Sequence, residues 1–304
     1  MAVGDISIVF LKRSIESILW QTYKDFEFII VNDAPNCLPI LETLESFARL
    51  DNRLRIFNNT TSLGFPCSIN RAIHLSSGNY IARMDADDIS LPTRLQEQYD
   101  YLCLNPTISL CGCRGELIAK DGQMIGMSRT FKNNESLLKI LYSQSPLIHP
   151  SFFARKEIYL KLNNYKNFSP GQDHDFLIRA VQNDFLMGFL GTPLIQYRIN
   201  LQSLSHQSSH ITLYAAYLIR QQLVRQGFHN YSTPLALCDQ SFKRLKLPIL
   251  RNLCKIRIIC LSRSLNSSNP FISFLFKALA LLVSLFHPVL INSVYHSIRL
   301  KVIM

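Results

Sequence analysis

Tyr80-Ile81-Ala82-Arg83-Met84-Asp85-Ala86-Asp87-Asp88-Ile89-Ser90-Leu91-Pro92 carries a short apolar run into three carboxylates within four residues, and then turns toward a helix. Asp85 and Asp87 are two apart, so at the frayed end of a strand both can face the same way, with the small Ala86 between them. Hard divalent cations such as Mg2+ or Mn2+ favour such oxygen ligands, with phosphate oxygens and water completing the shell. A bare acidic triplet is equally the mark of a solvated turn or a helix cap. Its setting distinguishes this one: an apolar strand in front, and Ser90 and Pro92 as helix-start signals before the helical Leu95-Gln96-Glu97-Gln98-Tyr99 behind. That order puts the acids at the carboxyl end of a strand, where open α/β sheets bind ligands.

Upstream of the acids, strand and helix patterns alternate. Ile6 to Phe10 reads as a buried strand, and Ser14 to Gln21 as a helix with Ile15, Ile18 and Leu19 on one face. Phe26 to Val31 is almost wholly apolar, as in a central parallel strand covered on both sides, and it ends in Asn32-Asp33. Leu38 to Leu50 is helical, Leu54 to Phe57 a strand, Phe65 to Ser76 a helix closed by Gly78, and Asn79 to Met84 the strand that delivers the acids. Four strands with intervening helices predict a doubly wound, mostly parallel sheet with Asp33 and Asp85 to Asp88 at one edge.

Downstream the pattern changes. Thr107 to Arg114, Gly115 to Lys120 and Gln123 to Met127, with an Asp121-Gly122 turn, predict a smaller mixed or antiparallel extension. Asn134 to Tyr142 is a helix, and His149-Pro150-Ser151-Phe152-Phe153 opens another strand. In Gly171-Gln172-Asp173-His174-Asp175-Phe176 a glycine turn leads into a helix with Asp173 in or just before its first turn. An acid there caps free N–H groups and is kept ionised by the helix dipole, which is also what a general base requires. His149 and His174, taken singly, read as core or surface histidines.

The 304 residues suffice for one large α/β domain and an appendage, and 48% hydrophobic content excludes a disordered chain. The net charge of +11 is uneven: Ser241 to Met304 holds ten Lys and Arg and no Asp or Glu, leaving 22 basic against 21 acidic residues before it. Among those tail cations, Lys243, Arg244, Lys246, Arg251, Lys255 and Arg257 precede the 16-residue apolar stretch Phe271 to Phe286, which contains Lys277. That stretch is short of the roughly 20 residues that span a bilayer, so it reads as an interfacial helix drawn to an anionic membrane surface. The basic residues lie among Leu, Ile and Phe, which argues against a nucleic-acid groove. The eight cysteines form no C-x-x-C pair and read as free thiols of a reducing compartment. Met1-Ala2-Val3-Gly4-Asp5 lacks the pattern of a secretory signal.

Three stretches resemble the family 2 glycosyltransferases of GT-A fold: Ser14 to Tyr23, Phe28 to Asp33, and Ser77 to Leu95 with its Asp85-Ala86-Asp87. The likeness covers roughly residues 5 to 205 and continues in His149-Pro150-Ser151, Asp173-His174-Asp175 and Tyr197-Arg198. It implies a glycosyltransferase domain over 1–205, with a nucleotide-binding half at 1–106 and an acceptor-side half at 107–205, followed by a helical, membrane-associated tail at 206–304. By the same resemblance Asp33 contacts the nucleotide base, Asp85 the ribose or diphosphate, and Asp87 the divalent cation; Arg71 joins the nucleotide-sugar group. Asp173 is the catalytic base, and His149 and Arg198 contact the acceptor or support the site. Gln172 stands where Glu usually precedes the base, Asn200 where His often follows Tyr-Arg, and the Pro-Val-Tyr-Asn turn after the first strand is missing.

The expected reaction is inverting transfer from a nucleoside-diphosphate sugar, most simply a UDP-sugar, to a hydroxyl of a glycan or lipid-linked acceptor in cell-surface polysaccharide or lipopolysaccharide synthesis. One base and no opposing carboxylate nucleophile imply direct displacement. The expected location is cytoplasmic, peripheral on the inner face of the cell membrane. The alternative is a weak or inactive relative that binds sugar nucleotide or partner enzymes there, which the missing turn favours.

Overall fold

The computed structural model describes residues 1–199 and, beyond them, 216, 218–220, 222, 223 and 226–234. The basic and apolar stretches expected to meet a membrane, 243–257 and 271–286, lie outside these residues. Among the described residues no helix is long and apolar enough to cross a membrane. Met1–Asn200 and Phe228–Tyr231 belong to one compact unit, and it holds every candidate site residue.

Chain order opens with β1 (Ala2–Val3), α1 (Ile8–Leu19), β2 (Phe28–Asn32), α2 (Leu38–Leu50), β3 (Leu54–Asn58) and α3 (Phe65–Leu75). The first strand therefore lies earlier than the expected Ile6 to Phe10, and most of that apolar run is helical. Periodicity explains the difference: Leu11, Ile15 and Ile18, all buried, follow one another at i, i+4 and i+7, and Ile8 extends the same stripe one turn back. Gly4 to Ser7 is what remains between strand and helix. β2 is buried at all five positions, as a central parallel strand should be. Gly78 does not close α3, which ends at Ser76 in extended backbone; instead the Gly78 N–H donates to Glu27 Oε1 at 3.1 Å.

The acids follow β4 (Tyr80–Ala82) and precede β5 (Ile89–Ser90), a two-residue strand in the place expected to start a helix; α4 (Arg94–Leu104) begins after it. Next come β6 (Ile108–Ile118), β7 (Met124–Met127), α5 (Asn134–Leu141), a single 3-10 turn at His149–Ser151, β8 (Phe153–Arg155), α6 (Lys156–Lys161), α7 (Gln172–Gln182) and β9 (Leu186–Arg198). The two strands expected at Thr107 to Arg114 and Gly115 to Lys120 are one, β6. Gly115 lies within it because a Cβ there would meet Ile148 Cδ1 at 2.7 Å.

The strands form two sheets. β1-β2-β3 is parallel, and a mixed sheet has the order β4-β8-β6-β9-β5, with β7 on β6. β6 and β9 run parallel from Ile108 beside Leu186 to Ile118 beside Arg198, which carries the Tyr197-Arg198 end of β9 up to the acids. One apolar cluster joins both sheets and α1, from Val3, Leu11, Ile15 and Ile30 to Met84 and Ile195.

Candidate active site

Buried polar side chains fix the loop between β4 and β5. Gln21, fully buried after α1, donates from Nε2 to Leu91 O at 2.8 Å and accepts the Leu95 N–H at 3.0 Å. Ser17 Oγ accepts the Ser90 N–H at 3.0 Å, and Ser14 Oγ donates to Asp85 O at 2.8 Å. Arg94, also fully buried, donates to Arg83 O at 2.6 Å and to Gln98 Oε1 at 2.9 Å. The loop's backbone is thus held from α1 and α4.

The three carboxylates have different surroundings. Asp85 pairs with Arg83, Nη1 to Oδ1 at 2.5 Å, and that guanidinium is buried over the Phe65 ring with 4.8 Å from Cζ to the centroid. Asp88 is buried and accepts the Arg198 N–H at 2.8 Å, while its other oxygen is unpartnered. Asp87, half-buried, accepts no side-chain bond among the described residues. Burial, and after it the Asp85 charge, pushes Asp87 up to about 6; burial and then the charges of Asp85 and Asp87 raise Asp88 further.

Crowded carboxylates of this kind are relieved by a divalent cation. The described residues hold no cluster of three or more ligating side chains, so a cation here would need oxygens from a ligand beside those of Asp87 and its neighbours. That matches the usual Mg2+ arrangement of one or two carboxylates with substrate phosphates and water.

Arg198 ties this loop to the end of β6. It donates from Nε to Asp87 O at 2.8 Å and from Nη1 to Ala119 O and Lys120 O at 3.0 Å each, and it lies 4.3 Å over the Phe10 ring. Its contacts are those of a support. Its neighbour Tyr197 was missed as a site residue in its own right. Burial raises its phenol, and the charges of Asp88, Asp85, Asp87 and Asp173 raise it further, so one hydroxyl senses all four acids. Asp173, in the first turn of α7, is near enough for its charge to reach that hydroxyl.

Asp173 is half-buried and accepts no hydrogen bond among the described residues. Its near neighbour Asp175 is fully buried, binding Arg179 Nε at 2.8 Å and accepting from Tyr231 Oη at 2.9 Å. His149 shares a 2.9 Å hydrogen bond between Nε2 and Tyr165 Oη and packs edge-on against Phe65, Phe152 and Tyr165. Burial, and then the Arg83 charge, holds the imidazole neutral far below its ordinary range. His149 is thus a wall residue of the site.

Asp33 and Arg71 come together through Asn59, at the ends of β2 and β3. The Asp33 carboxylate accepts from Asn59 Nδ2 and Leu63 N at 2.7 Å and from Ser62 Oγ and Gly64 N at 3.0 Å. Burial alone would raise this acid; the bonds from Leu63, Asn59 and their neighbours outweigh it and hold it below the usual range. Arg71 donates to Asn58 O at 2.9 Å and to Asn59 Oδ1. Phe65, next after Gly64, joins this pair to the acid cluster through its contacts with Arg83 and His149. Gly64, at φ +84°, makes the turn into α3.

The sequence matches the profile described as Glycosyl transferase family 2 over residues 8–162. An uncharacterized glycosyltransferase of Methanocaldococcus jannaschii is 36% identical over 191 residues, covering 62% of this chain and 66% of that protein. The O-antigen biosynthesis glycosyltransferase WbnJ of Escherichia coli is 33% identical over 223 residues, covering 72% of this chain and 85% of that one. In fold, the chain is similar to the mannosyltransferase PcManGT of Pyrobaculum calidifontis, solved with GDP-Man and Mn2+: TM-score 0.56 at 14% identity, over 98% of this chain and 85% of that structure.

Proposed function

Because the chain belongs to the family 2 glycosyltransferases and has a GT-A type fold, we propose that it moves a sugar, with inversion, from a nucleoside-diphosphate donor to a hydroxyl of a glycan or lipid-linked acceptor. The observation that carries this reading is the pair of carboxylates that accept no side-chain hydrogen bond among the described residues, Asp87 and Asp173, whose charges both reach the Tyr197 hydroxyl. Asp87 would hold a divalent cation against the donor diphosphate. Such a cation supplies charge neutralisation for the departing phosphate.

The chain's own residues do the rest. Asp173 accepts the proton of the acceptor hydroxyl as that oxygen attacks the anomeric carbon, and its first-turn position favours the ionised form it needs. Asp85, its charge steadied by Arg83, would stand near such a cation. Asp33 and Arg71 form the nucleotide side, where Asp33 orders the loop 59–64 around the base region. His149 and Tyr165 wall the acceptor side. The O-antigen role named for the WbnJ relative supports a cell-surface polysaccharide or lipopolysaccharide product. The basic tail supports attachment at the cytoplasmic face of a membrane, tested by flotation with anionic liposomes.

The second reading, a weak or inactive relative, is favoured by one observation: Gly4 to Ser7, between β1 and α1, stand where a nucleotide-closing turn is expected. Calorimetric titration with UDP and with GDP, each with and without Mn2+, followed by NMR of the product's anomeric centre, separates the two. Cation-dependent nucleotide binding and an inverted product support transfer. Cation-independent binding with no turnover favours the second reading.

A further inference from the structure

One side chain of α3 carries the nucleotide side across to the helix of Asp173. Asn70 lies between Ser68, whose Oγ accepts from Asn59 Nδ2 at 2.9 Å, and Arg71, which donates to Asn59 Oδ1. Successive helical residues are turned about 100° from one another, and Asn70 leaves that group to reach Tyr165, 95 residues on. Its Nδ2 donates to Tyr165 O at 2.8 Å, and its Oδ1 accepts the Tyr165 N–H at 3.1 Å. One amide thus satisfies both backbone groups of a residue, as a neighbouring strand would. Tyr165 lies in the segment 162–171 between α6 and α7, just after Asn163 and Asn164, whose backbone is left-handed at φ +53° and +58°. Residues other than glycine keep that conformation only where their surroundings hold it. Here both flanks do: Arg179 of α7 donates to Leu162 O at 2.6 Å and to Asn164 O at 3.0 Å, and Asn70 of α3 holds the next residue. The Tyr165 ring packs on Phe176 of α7 with centroids 4.8 Å apart, one turn beyond Asp173. Burial above all raises the Tyr165 phenol, and the Asp173 charge adds to it, so ring and carboxylate are neighbours.

We infer that Asn70 is a positioning residue for sugar transfer: through Tyr165 and Phe176 it sets α7, and the Asp173 carboxylate on it, against the helix that carries Ser68 and Arg71. The inference rests on the reading of Asp173 as general base. Transfer brings together an acceptor hydroxyl beside the base and a donor held on the nucleotide side, and a misplacement of about 1 Å between reacting groups costs about 100-fold in rate. Both polar ends of the Asn70 amide are engaged by Tyr165, so Asn70 acts through that residue and not on a ligand. Arg179, bound to Asp175 at 2.8 Å, ties the same segment to the first turn of α7, which makes the link from α3 to α7 continuous.

The test is Asn70→Ala in the full chain, read by two independent measurements. Steady-state kinetics are expected to show kcat lowered by about 10- to 100-fold, with the donor KM and the Kd for UDP and GDP unchanged. Hydrogen exchange without nucleotide is expected to quicken by at least about tenfold at the amides of Asp175 to Ile178, which a purely local role of Asn70 would leave alone. Asn70→Asp keeps an acceptor for the Tyr165 N–H and loses the donor to Tyr165 O; it is expected to fall between wild type and Asn70→Ala in both measurements, and it decides by the same two readouts if Asn70→Ala does not fold. A wild-type kcat, a lowered kcat with exchange in α7 unchanged, or a weakened nucleotide Kd with kcat kept overturns the inference. Asp173→Asn is measured beside them. Turnover retained there overturns the reading of the base and this inference with it, whereas a dead Asp173→Asn beside an Asn70→Ala of wild-type kcat overturns the inference alone.

Discussion

The chain contains the same triplet pattern twice, Asp85-Ala86-Asp87 after a strand and Asp173-His174-Asp175 at a helix start, and the backbone gives the two opposite arrangements. After β4 the acids crowd together: Asp85 is paired with Arg83, Asp88 is driven toward its neutral form by burial and by the charges of Asp85 and Asp87, and Asp87 accepts no side-chain bond among the described residues. In the first turn of α7 residues two apart diverge by about 200°. Asp175 therefore enters the core to meet Arg179 and Tyr231 while Asp173 remains open. Spacing alone does not make a metal site; the free acid in each triplet is the one its structural twin leaves unpaired.

The severest challenge to this contrast is Asp173→Asn. Loss of a general base is expected to lower kcat by about 10²–10⁴-fold, with Tm held because Asn is also tolerated at a helix start. Wild-type turnover in a folded Asp173→Asn protein would break the contrast. Its partner Asp175→Ala should do the reverse and cost stability. Breaking the buried pair with Arg179 removes about 3–5 kcal/mol, read as a lower urea midpoint, and an unchanged midpoint would return Asp175 to the candidate ligands.

Asp87→Asn sharpens the comparison from the other side. A carboxylate raised to about 6 penalises the folded state when ionised, so without added cation the variant should be more stable than wild type by about 1–3 kcal/mol above pH 6. The gain shrinks as pH falls and vanishes below about pH 4, where the acid is protonated in both states. Cation-dependent nucleotide binding should disappear at the same time. The smallest effect is expected at Asp33, whose bonds hold it below the ordinary range. Its stabilisation over Asp33→Asn is full above about pH 3.9 and is lost as pH falls through the depressed folded value; a difference that instead grows toward low pH would contradict the four-bond geometry.

Much of this was legible in residue types. The apolar run of β2 and the acids after β4 announce a sheet edge, and Asp173 announces itself by glycine and helix start. What escaped depended on partners distant in sequence. Ile6 to Phe10 suits a strand or a helix by composition, and only the stripe continued by Leu11, Ile15 and Ile18 decides it. Ile89–Ser90 becomes a strand because β9 lies beside it, roughly a hundred residues on. Nothing local distinguishes Gln21 or Arg94 from surface residues; each is buried because it satisfies backbone groups of the acid loop. Tyr197 gains its importance from four acids that share no stretch of sequence with it.

The Tyr231 hydroxyl on Asp175 sets a rule for recombination. Chimeras that exchange tails among relatives at residue 200 would discard Phe228–Tyr231, which belongs to the compact unit, and would strip the buried acid of the Tyr231 hydroxyl. A crossover placed after Tyr231 keeps that pairing, so the interchangeable module begins about thirty residues later than the end of β9 suggests.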